Sequence, residues 1–140
     1  MTPGQKALVR SSYAAVMADP DALAAAFYAR LFALDPTIKT LFQGDMAVQG
    51  RKFTEMLSST LECIDRLDQV VPAVWLMGKR HGGYGVEHRH YETVREALIW
   101  ALDRCTAGGL SPETVAAWTL LYNLLAAAME QATAEGVILR

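Results

Sequence analysis

Apolar residues recur at helical spacing along most of the chain. Intervals of three and four residues place such side chains on one face of an α-helix. One stripe crosses 88–106 and another crosses 111–134: Tyr91, Val94, Leu98, Leu102 and Cys105 in the first, and Val115, Trp118, Tyr122, Leu125, Met129 and Ala132 in the second. We therefore predict that these two helices pack against each other through their apolar faces.

Capping residues and glycines divide this pattern into helices. Three dipeptides put a side-chain acceptor directly before a proline suited to the first helical turn: Asp19-Pro20, Asp35-Pro36 and Ser111-Pro112. Glycines at 44, 82–83 and 108–109 mark breaks. No convincing period-two strand pattern occurs. The sequence predicts an all-α fold with helices at about 3–18, 20–34, 36–42, 46–66, 69–81, 88–106 and 111–134.

Two polar side chains continue apolar stripes. The stripe that contains Phe53 and Leu57 reaches Gln49 when it is extended back by one turn, so a polar side chain points at the core. The stripe of 70, 74 and 77 ends at His81, directly before a glycine pair. A histidine at a helix end is also stabilised simply by the helix dipole. The pattern alone leaves a structural and a functional role open for His81.

Length and composition favour a single domain over residues 1–140. Of the 140 residues 52% are hydrophobic and 20% charged, and no apolar run is long enough for a membrane span. The net charge is −2 and no basic stripe is present, so nucleic acid is not an expected partner. The N-terminal residues lack the pattern of a signal peptide, and a cytoplasmic location is expected. We interpret Cys63 and Cys105 as ordinary buried thiols; a disulfide between them stays open, although the cytoplasm disfavours it.

Four blocks of the chain, in order and at characteristic spacing, carry a resemblance to a known family. They are 27–32 (FYARLF) followed by 35–36 and 40–42, then 49–53 (QGRKF), 79–86 (KRHGGYGV) followed by 90–91, and 116–122 (AAWTLLY). These blocks are similar to flavohaemoglobins and related bacterial single-domain globins. The resemblance implies a globin fold: a three-over-three helical sandwich around haem, with little or no fourth short helix.

The resemblance also implies a haem b site with His81 as the proximal iron ligand. Tyr91 would lie behind His81 and help to orient it. Phe42 is the ring that would wedge the haem, and the expected partners of the haem propionates are Lys79, Arg80 and Lys52. His88 and His90 follow the glycine-rich break and are expected in a solvated turn.

No histidine precedes residue 81, so the distal side needs another hydrogen-bond donor. The resemblance implies that the Tyr28 hydroxyl points at bound gas, with Gln49 as a second candidate donor and Phe53 facing the ligand. Simpler structural roles stay open: a core tyrosine, a solvated first-turn glutamine and a plain core ring.

One position departs from the family pattern. The family has a glutamate eleven residues beyond the tyrosine of the last helix, where it supports the proximal network. Counting from Tyr122 gives Thr133 here, and the nearest preceding acid is Glu130. Whether either residue completes the network is left open.

The expected function is reversible binding of O2, NO or CO for oxygen storage or delivery, by a monomer or homodimer. Conversion of nitric oxide to nitrate is a further possibility that requires a separate reductase, because the 140 residues contain no GxGxxG phosphate-binding fingerprint. A cofactor-free helical interaction module and a haem-based gas sensor are the alternatives.

Overall fold

The computed structural model of the chain describes residues 1–42, 44–66 and 88–138. Within these ranges the chain is helical and contains no strand, which confirms the all-α prediction. The helices are α1 (Pro3–Val16), α2 (Pro20–Leu34), α3 (Met46–Glu62), α4 (His88–Arg104) and α5 (Pro112–Ile138), with short 3-10 helices at Pro36–Leu41 and Ile64–Arg66. The helix predicted at 69–81 lies outside the described residues.

The helix starts follow the predicted caps. The Asp19 carboxylate accepts a hydrogen bond from the backbone N–H of Ala22 at 3.1 Å and opens α2. Asp35 accepts from the backbone N–H of Thr37 at 3.0 Å, but the segment that it opens is a 3-10 helix. Local capping therefore places these starts correctly from the sequence.

Two helix ends differ from the prediction. The segment 46–66 does not remain α-helical, because the backbone N–H of Cys63 bonds to the oxygens of Leu61 and Thr60 and α3 ends at Glu62. The last helix is longer than predicted and continues to Ile138. The end of a helix depends on which nearby oxygen accepts each backbone N–H, and the spacing of apolar residues does not predict this choice.

The core lies between α2 and the helices that enclose it. α2 makes its largest interface with α4 and also packs on α3, while α5 packs on α1 and on α4, which confirms the predicted pairing of the last two helices. Trp118 on α5 is 1% exposed, and its indole N–H donates to the hydroxyl of Ser12 on α1 at 2.8 Å. The ring therefore fills the core with its polar atom satisfied.

The two cysteines are less enclosed than predicted. Cys63 and Cys105 are free thiols at half-buried positions, whereas the sequence predicts buried ones. Each lies just beyond the last turn of a helix.

Among the described residues, the structure contains no helix with the length and apolar character needed to cross a membrane.

A close crossing of α2 and α3 brings the distal candidates together. Gly50 is buried, and a Cβ atom built on it would lie only 3.2 Å from the Cβ of Ala24. Because neither residue carries a larger side chain, the two helices approach closely at this point. The crossing sets the distance between Tyr28 on α2 and Gln49 on α3.

Candidate functional site

An aromatic cluster occupies the space between α2, the 3-10 helix Pro36–Leu41 and α3. Its members are Phe27, Tyr28, Phe32, Phe42 and Phe53. Phe27 and Phe53 stack with their ring centroids 4.2 Å apart, and Tyr28 meets Phe42 edge to face at 5.5 Å. Such pairs are favourable beyond the area that they bury. The cluster forms an apolar wall with a single hydroxyl group, that of Tyr28.

The Tyr28 hydroxyl donates to the main-chain oxygen of Gln49 at 3.4 Å. This separation is long for an O–H···O hydrogen bond and indicates a weak one. Burial raises the pKa of Tyr28 to about 12, because desolvation penalises the phenolate. The side chain therefore keeps its proton near neutral pH and remains a hydrogen-bond donor.

The other distal candidates lie around this hydroxyl. Gln49 is half-buried in the first turn of α3, and its main-chain oxygen is the atom that meets Tyr28. Phe53 is buried one turn later, and Phe42 is half-buried where the 3-10 helix ends. The structure therefore brings Tyr28, Gln49, Phe42 and Phe53 together. Lys52 is exposed on α3.

The proximal candidates are described in part. His81, Lys79 and Arg80 lie outside the described residues. Tyr91 is buried in the first turn of α4, and the hydroxyl of Tyr122 on α5 donates to its main-chain oxygen at 2.5 Å. This bond fixes the start of α4 against α5.

The family pattern leaves two candidates near the end of α5 for the residue that completes the proximal network. Glu130 and Thr133 both belong to α5, but their side chains lie outside the described part. Their roles in the proximal network stay predictions.

The solvated turn predicted for His90 is wrong. His90 is 6% exposed and lies in the first turn of α4. The residue precedes Val94 by four positions, so it continues the apolar face of α4 backward by one turn, a signal that the sequence already contained. The side chain of His88 lies outside the described part.

An ion pair that the sequence did not suggest fixes the start of α4. Arg89 Nη1 lies 2.7 Å from Asp35 Oδ2 and joins α4 to the end of α2. The pKa of Asp35 is lowered, first by the hydrogen bond from the Thr37 side chain and also by the charges of Arg89 and His90. Asp35 therefore caps one helix and holds a second one.

The globin family model matches residues 25–129, which is most of the chain and includes the aromatic cluster. This chain belongs to the globin family. The globin is 30% identical over 104 residues to an uncharacterized globin-like protein of Aquifex aeolicus, covering 74% of this chain and 73% of that protein. It is also 26% identical over 129 residues to a flavohemoprotein of Deinococcus radiodurans. That match covers 90% of this chain and 32% of the relative, so the globin spans about a third of the flavohemoprotein's length.

Solved structures show the same fold. Ferric Aplysia limacina myoglobin superimposes with a TM-score of 0.79 at 23% identity, covering 94% of this globin and 98% of the myoglobin. An engineered carbene transferase, described as a candidate nitric oxide dioxygenase from Rhodothermus marinus, gives a TM-score of 0.87 at 24% identity and covers 99% and 97%. At these identities the likeness establishes the all-α globin fold. The prediction of a globin fold is confirmed.

The distal residues fit a haem group on chemical grounds. The aromatic cluster offers apolar rings to a flat porphyrin, and Tyr28 offers a protonated hydroxyl to a small polar ligand. Membership of the globin family supports haem binding and gas binding in general.

Proposed function

We propose that this globin binds haem b and holds a diatomic gas (O2, NO or CO) against the hydroxyl of Tyr28. The observation that carries the proposal is the position of this protonated hydroxyl, the polar group of an otherwise apolar cluster. When bound, haem supplies the iron that coordinates the gas. In this proposal His81 is the iron ligand.

Each protein group has a separate task. The Tyr28 hydroxyl exchanges its weak bond to Gln49 for a bond to the gas, and the surrounding rings exclude water, which strengthens that bond. Phe42 would wedge the porphyrin, and Phe53 would face the bound gas. Tyr91 orients His81 from the start of α4.

Three cations are the proposed partners of the haem propionates: Lys52, Lys79 and Arg80. Lys52 is exposed on α3, so its ammonium group is free to meet a carboxylate at the protein surface. Exposed ion pairs contribute little to affinity, about 0–1 kcal/mol each, so these residues orient the haem more than they retain it.

Haem titration tests this proposal against the cofactor-free helical module. The proposal predicts one haem per chain, a Soret band, and a spectral shift with carbon monoxide. A chain that stays colourless after haem addition and gel filtration would support the module.

A second candidate function is nitric oxide dioxygenation, which is favoured by the flavohemoprotein relatives together with the Tyr28 donor. The overall reaction combines nitric oxide, dioxygen and one electron to give nitrate. We propose that a separate reductase supplies the electron. Stopped-flow mixing of the oxygenated protein with nitric oxide should give fast consumption once per haem, and steady-state turnover only after a reductase is added.

Slow single turnover with nitric oxide would exclude this second function and favour oxygen storage or sensing.

A cytoplasmic location is part of the proposal, because the free thiols of Cys63 and Cys105 suit a reducing compartment. The oligomeric state is proposed to be a monomer or homodimer.

A further inference from the structure

A groove of about 350 Å³ lies between α2 and α3. Its walls are formed largely by small or apolar residues: Ala24 and Ala25 on α2, and Met46, Ala47 and Gly50 on α3. Ala25 and Ala47 are exposed, whereas Ala24 and Gly50 are buried, so the groove leads from the surface inward. Its lining also includes Tyr28 and two exposed charged residues, Asp21 and Arg51.

Tyr28 belongs both to the lining of the groove and to the aromatic cluster. Phe42 and Phe53 lie 5.5 and 5.9 Å from the Tyr28 ring, between centroids. A weak bond of 3.4 Å to Gln49 is the hydrogen bond that holds the hydroxyl. A rotation of this side chain toward an open path would therefore cost one weak hydrogen bond and part of its ring contacts.

We propose that this groove is the route by which the gas reaches its site, with Tyr28 at the inner end. The inference rests on the proposed function and adds the path to it. A water molecule occupies about 30 Å³ in the liquid, so the groove has room for several molecules of that size. The charged side chains of Asp21 and Arg51 are exposed, whereas the buried Ala24 and Gly50 give the inner part of the groove apolar walls that bind water poorly and suit an apolar gas. In this proposal the Tyr28 side chain closes the inner end of the path, and its hydroxyl donates a hydrogen bond to the gas molecule that has reached the site.

Flash photolysis of the carbon monoxide complex tests the route from both walls. Ala25→Trp and Ala47→Trp each place a large ring in the groove from an exposed position. Ala116→Trp on α5 is the matched control, because it also replaces an exposed helical alanine outside the groove. Both groove variants should bind carbon monoxide roughly tenfold more slowly, as expected when a barrier on the path rises.

The dissociation rate should fall by the same factor in the groove variants. A barrier on a path slows both directions equally, so the affinity should stay within about twofold of the original. Unchanged association rates in both groove variants would overturn the route, as would equal slowing in Ala116→Trp. A wild-type chain that retains no haem would instead overturn the proposed function, and the route with it.

Xenon provides a second readout that does not depend on ligand kinetics. Xenon enters apolar cavities, and it shifts the NMR signals of methyl groups that it contacts. In the carbon monoxide complex the methyl signal of buried Ala24 should shift with xenon pressure, while that of buried Ala101, outside the groove, should not. Ala47→Trp should abolish the Ala24 shift. Equal responses of Ala24 and Ala101 would contradict the route.

Discussion

The hydroxyl of Tyr28 on α2 meets the main-chain oxygen of Gln49 on α3 at 3.4 Å. This contact joins the two helices beside their closest crossing, where Gly50 approaches Ala24. Its acceptor is a backbone atom, so the Gln49 side chain is not required for it. The bond is weak enough to be exchanged for a bond to a ligand in the aromatic cluster.

Tyr28→Phe should accelerate oxygen release. A hydrogen bond to a charged acceptor contributes about 1.5–3 kcal/mol, so its loss should raise the dissociation rate constant by roughly 10- to 150-fold. Stopped-flow displacement of oxygen by carbon monoxide measures this rate. Gln49→Leu is the control and should change the rate less, because it keeps the backbone oxygen that meets Tyr28.

Carbon monoxide separates hydrogen bonding from steric effects at Tyr28. It is a weaker acceptor than bound oxygen, so its dissociation should respond less to Tyr28→Phe. Equal acceleration of both gases would show that the Tyr28 hydroxyl acts only by occupying space.

The raised pKa of Tyr28 predicts a loss of stability in alkaline solution. Its ordinary value is 10.0 and its value in the fold is about 12, so the unfolded chain releases this proton first. The contribution of Tyr28 is fully present below pH 10 and is lost as the pH rises from 10 to 12. Urea unfolding should show a steeper decline over this range in the wild-type chain than in Tyr28→Phe. Parallel pH profiles would contradict the burial of this hydroxyl.

Gly50→Ala should destabilise the protein although alanine favours helices. The helix gains about 1 kcal/mol from the substitution, but overpacking costs about 1–3 kcal/mol, so the expected loss in the free energy of unfolding is about 1 kcal/mol. Gly4→Ala on α1 is the matched control, since its new methyl group would meet its neighbour at an ordinary 3.9 Å. Urea denaturation measures both variants.

The double variant Ala24→Gly/Gly50→Ala identifies the cause of that loss. If the contact between the two methyl groups is responsible, the double variant should be more stable than the sum of the two single effects predicts. Strict additivity of the single effects would show that Gly50 acts through its backbone alone.

Local chemistry made parts of this fold predictable. Asp19 and Asp35 mark helix starts because a cap needs only a few neighbouring residues. The family resemblance predicts that Tyr28, Gln49, Phe42 and Phe53 lie near one another, and the structure brings these four residues together.

Other features depend on how separate helices meet. The groove beside Tyr28 lies next to the close crossing of α2 and α3 at Gly50, and neither helix alone encodes how near the other one comes. The glycines before His90 predict a turn at this residue, whereas its burial follows from the packing of α4. The ion pair of Arg89 with Asp35 likewise joins residues far apart in the chain.

The assignment of His81 as the iron ligand is the central claim. The buried His90 offers the clearest competitor, because it is a second imidazole only nine positions after His81 in the chain and is only 6% exposed. The direct measurement is the haem content and Soret spectrum of purified His81→Gly and His90→Gln, with added imidazole as a replacement ligand. The account predicts that His81→Gly loses stable haem and regains part of it with imidazole, while His90→Gln keeps one haem per chain. Retention of haem with an unaltered spectrum by His81→Gly, or its loss from a folded His90→Gln, would contradict the account.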